Sequence, residues 1–156
     1  MMCRLCWIVL GLVLVLAGLG TWKFVVQGDT EAASDGRTAI LLPPAERDLV
    51  LSEMRAFLEA VQQISAALPE GDMKKAAAAA RRLGAAAQQG VPPSLVARLP
   101  LAFKRLGFDT HRRFDQLAMN AEQFGDPTQT GRELATLMDN CIACHAAYRI
   151  DPVTRP

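Results

Sequence analysis

At 156 residues the chain has room for one globular domain behind a non-globular N-terminus. Its 17 Lys and Arg nearly balance 16 Asp and Glu, leaving a formal charge of +1. The basic residues are dispersed and do not interleave with aromatics, so there is no footprint for nucleic acid and nothing that favours an acidic partner.

After Arg4 comes an apolar run from Leu5 to Trp22 (LCWIVLGLVLVLAGLGTW), stopped by Lys23. That is about the 20 residues a helix needs to cross a bilayer, and Lys23 can extend its charge to the interface. Trp7 and Trp22 stand at the two ends, where interfacial tryptophans belong. A cleaved signal peptide would have a shorter apolar core and a nearby small-x-small site. The nearest such site, around Ala32 and Ala33, is far from the run. An uncleaved anchor over residues 1–26 is therefore expected, with a removed signal as the alternative. Arg4 on the inside places the following domain outside, in the periplasm of a bacterium. Cys3 follows no lipobox, so no lipid attachment is expected; the Cys3 and Cys6 pair, followed by Trp7, reads as free thiols at a membrane boundary.

Residues 27–43 are rich in Gly, Asp, Ser and Thr and have no sustained helical period, which predicts a flexible linker ending in the apolar patch Ala39 to Leu42. Pro43 and Pro44 open a first amphipathic helix, stopped at Pro69-Glu70-Gly71. Its seam is Val50, Met54, Phe57, Val61, Ile64 and Leu68, at alternating steps of four and three. Asp72 predicts the N-cap of a second, alanine-rich helix reaching about Gly90. Val91 to Pro100 holds three prolines and predicts a connection with at most a short helical turn. A third helix carries Phe103, Gly107, Thr110, Phe114, Leu117, Ala121 and Phe124 on one seam and ends at Gly125. Asp126 and Pro127 cap and start a fourth, with Leu134, Met138, Cys141, His145 and Tyr148 in register. The expected fold is all-α: an antiparallel four-helix bundle over residues 44–150, preceded by one N-terminal transmembrane helix.

Cys141, Cys144 and His145 form the sequence CIACH. Two thiols three residues apart can reach the two vinyl groups on one side of a haem, and the next residue offers imidazole to the iron. A zinc site would need three or four protein ligands, and only His111 remains as a further good donor in the exported part. A thioredoxin-type dithiol belongs at a helix N-terminus beside a strand, whereas this pair falls near a helix C-terminus. The expectation is one covalently bound haem c, attached through Cys141 and Cys144, with His145 on its iron.

The run CIACHAAYR on the last helix resembles the signature of the class II c-type cytochromes, the cytochrome c prime family. The resemblance implies a four-helix bundle with the haem wedged between helices and the first helix facing the distal side of the iron. It further implies a basic residue near the haem, four positions after the histidine; Arg149 stands there. Arg55 is similar to the family's first-helix arginine that pairs with a haem propionate. The N-terminal anchor departs from the usual member. Family members often form homodimers, which makes one possible here.

The other side of the iron decides function. Met54, on the seam of the first helix, is the expected distal ligand, with ordinary core packing as its alternative. Phe57 and Leu58 are the apolar guards if the site is open. Met138 shares a helix with His145 and should approach from the same side; Met73 and Met119 read as packing or surface. His111 is a second contender for iron, or a solvated or carboxylate-paired side chain beside Asp109 or Asp115. With Met54 bound, the chain is a membrane-tethered carrier of single electrons for redox proteins at the inner membrane. With the site open, it binds nitric oxide or carbon monoxide. A haem-free helical scaffold is the third possibility. No nucleophile and base pair or paired carboxylates are apparent, so catalysis is not expected.

Overall fold

The computed structural model describes the backbone of Met2–Val153 and side chains from Arg4. Helix α1, Met2–Thr21, is apolar beyond Arg4, and the span from Arg4 onward is not covered by the rest of the protein. It widens into a π-helical turn over Trp22–Gln27, and the stretch Arg4–Gln27 is long and apolar enough to cross a membrane. Cys6 is an exposed free thiol; the side chain of its expected partner Cys3 lies outside the described residues.

Beyond the anchor the chain does not run free. Gly28 adopts φ +67°, and a Cβ there would fall 2.2 Å from the Arg98 carbonyl oxygen. This close approach lets the Asp29 amide donate to the same oxygen at 2.7 Å. The Asp29 carboxylate meets Arg98 Nη1 at 2.6 Å and Lys23 Nζ at 3.4 Å, and Arg98 Nε lies 3.2 Å from Glu46. Strands β1, Thr30–Ala32, and β2, Thr38–Leu42, then form an antiparallel hairpin. About half of the segment expected as a flexible linker is thus strand, and the all-α expectation is corrected by a small sheet. The cause is non-local: β2 pairs in parallel with β3, Tyr148–Pro152, more than a hundred residues away, with Thr38 opposite Tyr148 and Ile40 opposite Ile150. Ile40 and Leu42 are buried against Val50, Leu95 and Leu99. The sheet also carries the structural unit past the expected 44–150 limits on both sides.

Helix α2, Pro44–Glu70, begins at the expected proline and passes through Pro69 to end at Gly71, whose φ of 66° forms a left-handed cap. Helix α3, Met73–Arg81, is capped by Asp72, which accepts from the Lys75 amide at 2.9 Å. It is much shorter than the expected helix to Gly90. Side chains of α5 take over its next backbone groups: the Ala85 amide donates to Asp115 at 2.8 Å, and His111 Nδ1 lies 2.7 Å from the Leu83 oxygen. Between them, a Cβ on Gly84 would collide with Asp115, so the chain turns aside into a 3₁₀ turn at Ala85–Gln88. After a short α4, Pro93–Arg98, helix α5 covers Leu101–Phe124 and stops at Gly125 in the left-handed region. Helix α6, Pro127–Ala147, starts where Asp126 accepts from the Thr128 and Gln129 amides.

The fold is mostly helical. Helix α3 packs on α2 and α5, and α6 closes against α5 and α2. Alanines on α3 let α2 and α5 each come close to it, with Ile64, Phe114, Leu117 and Leu137 in the same core. Phe57 and Phe114 stack within this core, nearly parallel, with ring centres 5.5 Å apart.

Candidate haem site

Spacings of three and four residues put Cys141, Cys144 and His145 along one side of α6, in its last two turns. They form one wall of a cleft of about 490 Å³, together with Met138. Met54, Arg55, Phe57 and Leu58 of α2 also line it, and Phe103, Gly107 and Thr110 of α5 contribute another wall. Five of the six expected site residues, Cys141, Cys144, His145, Met54 and Arg55, therefore border one space. Most of the lining is apolar, and the volume falls within the roughly 300–1,000 Å³ usual for ligand and cofactor sites.

Arg149 does not line the cleft. It lies on β3, where its Nε meets Asp151 at 2.9 Å and its Nη1 meets Asp35 at 3.3 Å. Met54 is half-buried and packs against both apolar clusters. Met73 is buried in the helical core, and Met119 is exposed.

Cys141 and Cys144 are free thiols, half-buried in the cleft wall. Burial pushes both up, Cys144 to about 11 with help from the neighbouring Cys141. Both are protonated at neutral pH, the reverse of the lowered pKa that a reactive dithiol needs. Among the described residues no three His, Cys, Asp or Glu side chains gather as a metal-holding group. A zinc site would need such a group; a haem iron asks the chain only for axial ligands.

His111 is not solvated, and its partner is neither Asp109 nor Asp115. It is buried, with Nδ1 2.7 Å from the Leu83 oxygen and Nε2 3.2 Å from Glu53 of α2. Burial alone would lower its pKa, but hydrogen bonds to Glu53 and to the Leu83 carbonyl outweigh it and the net direction is upward. Each ring nitrogen faces an oxygen acceptor, so neither is turned toward the cleft as a metal ligand. Asp109 instead binds Arg112, Arg113 and, at 2.9 Å, Asn140 of α6. Its carboxyl is held down to about 2, chiefly by the Asn140 hydrogen bond and then by Arg113.

Three residues of this neighbourhood escape a reading of the sequence: Glu53, Asn140 and Arg37. Glu53 and Asn140 could have been found as polar residues next to core seams. Arg37 carries no local signal, because its targets, the carbonyl oxygens of His145 and Tyr148, are over a hundred residues away. Comparison of the chain with protein-family models, curated proteins and solved structures finds no match.

Proposed function

We propose that this chain is a membrane-tethered c-type cytochrome, similar to the class II family, that carries single electrons through one covalently bound haem c. On this reading α2, α3, α5 and α6 are the four helices of an antiparallel bundle. The observation that carries it is the convergence of both CIACH thiols, His145 and, from the facing helix, Met54 on a single apolar cleft. The residues present fit the group. Cys141 and Cys144 are unpaired, as thioether attachment requires, and the walls are mainly apolar, as a porphyrin face requires.

When bound, the haem supplies a one-electron iron couple. His145 would hold the iron through an imidazole nitrogen. Met54 offers a thioether from α2, a ligand that raises haem potentials. Arg55 is exposed at the cleft and its planar fork suits a propionate. Phe57, buried in the wall, would keep water from the same space, and Leu58 would be covered only once the haem is in place. The anchor, with the haem domain in the periplasm of a bacterial inner membrane, raises the effective concentration of the domain at membrane-bound redox proteins.

One observation favours the gas-binding alternative. A second cavity of about 420 Å³ shares Glu53, Phe103, Gly107 and His111 with the cleft, which gives room beside it for a small neutral molecule. Production of the full chain with c-type maturation machinery tests the common ground. Haem absorption that survives denaturation and organic extraction is the expected result; its absence would leave a haem-free scaffold as the function.

A further inference from the structure

Residues 33–37 join β1 to β2, and Arg37 stands at the end of that turn. Its guanidinium is aimed by Asp35, which accepts from Nη2 at 2.7 Å, from Nε at 3.0 Å and from the Arg37 amide at 3.1 Å. The remaining nitrogen, Nη1, donates at 3.3 Å to the carbonyl oxygen of His145 and at 3.3 Å to that of Tyr148. The His145 carbonyl is one of the last of α6, which have no partner inside the helix. A cation there also opposes the negative end of the helix dipole. Just beyond, Thr38 pairs with Tyr148 as β2 runs beside β3. The end of α6 that bears His145 is therefore gripped from outside the bundle, by a hairpin near the anchor.

We propose that Arg37 is a positioning residue for His145: clamped by Asp35, it fixes the end of α6 and so the direction from which the imidazole meets the iron, and it adds a positive charge beside that ligand. The inference rests on the haem reading of the cleft. Arginine suits the role because its planar fork can hold a carboxylate on one side and carbonyls on the other. Arg149 does not duplicate it, since that side chain binds Asp35 and Asp151 and has no hydrogen bond to a carbonyl of α6. Loss of the cation favours ferric over ferrous iron, so the midpoint potential falls; loss of the carbonyl bonds lets the imidazole turn, so the ferric electron paramagnetic resonance g-values move.

The test uses the full haem-loaded chain and the variants Arg37→Gln, Arg37→Lys and Asp35→Asn. Arg37→Gln should lower the potential and shift the g-values. Arg37→Lys, which keeps the cation, should recover most of the potential. Asp35→Asn, which frees the guanidinium, should move the g-values in the direction of Arg37→Gln. In haem-free protein, the Tyr148 amide, which donates to the Cys144 carbonyl, should exchange at least tenfold faster in Arg37→Gln. A variant that is only less stable, with unchanged potential and g-values, overturns the proposal, as does Arg37→Lys shifted as far as Arg37→Gln. If Arg37→Gln takes up no haem, the other two variants decide by the same criteria. Unmodified protein without covalent haem sinks the haem reading and this inference with it; loaded protein indifferent to Arg37 sinks this inference alone.

Discussion

Helices α2 and α6 pack against each other at one end and stand apart at the other. At one end the contact is closed: Ile64, Leu134 and Leu137 are buried, and a Cβ on Gly131 would lie 3.4 Å from Leu68. At the other end the same helices part around the cleft. There Leu58 is 70 % exposed and Met138 39 %, although both are apolar. Apolar side chains that line a space and are not drawn together by collapse mark where the fold reserves room for an apolar guest. The closed end reports on folding, and the open end on function.

The largest effect expected at the open end is that of His145→Ala. Thioether attachment can survive, but the strong axial ligand is gone and the spectrum of the reduced protein should lose its normal form. An unchanged spectrum would break the assignment of the open end. The next contrast sets the two ends against each other in haem-free protein. Ile64→Ala should cost about 2–5 kcal/mol in denaturant unfolding, because it leaves a cavity in packed core. Leu58→Ala should change stability by less than about 0.5 kcal/mol, since its side chain is mostly in water. In haem-loaded protein the cost at Leu58 should rise; equal costs with and without haem would mean that the cleft does not receive it.

Met54 belongs to the open end, where it lines the cleft and packs against both apolar clusters. Met54→Leu conserves volume and should cost less than about 1.5 kcal/mol. The unmodified protein should be low-spin and resist carbon monoxide, and the variant should turn high-spin, bind the gas and drop in potential. Unmodified protein that takes up carbon monoxide at once would put gas binding first. The smallest effect concerns His111, at the wall of the cleft. Its pKa is raised above the ordinary 6.5, so its contribution to stability is complete below that value and is lost as pH rises through the higher folded value. Thermal melts across that window should show the decline in unmodified protein and a flatter profile in His111→Gln.

Much of this was legible in the sequence because the signals are local. Proline at the start of α2 and α6, Asp72 and Asp126 as caps, and Gly71 and Gly125 as stops each act within one helical turn, and the structure has all of them. The spacing of CIACH likewise fixes a helix face without knowledge of the fold. What was missed depends on partners far along the chain. Residues 27–43 have no helical period, and only β3 makes β2 a strand. The alanine run after Arg81 is intrinsically helical, but His111 and Asp115 of α5 compete for its backbone groups and Gly84 yields. The cleft was legible only as a row of residue types; that α2 and α6 stay apart there is a property of the packing.

The elbow at Gly28 and Asp29 bears on how such a molecule finds a partner. One ion pair and a backbone hydrogen bond tie it to Arg98 of α4, which in turn meets Glu46 of α2, and Lys23 of the preceding turn pairs with Asp29 as well. Were the elbow a loose string, the domain would tumble through every orientation above the bilayer and present the cleft to each in turn. If α1 spans a membrane as proposed, the braced elbow would restrict how far the domain tilts relative to α1. The height and tilt of its mouth would then be narrowed before any encounter, and replacement of Gly28 by a larger residue, which must displace the Arg98 carbonyl, would return that freedom.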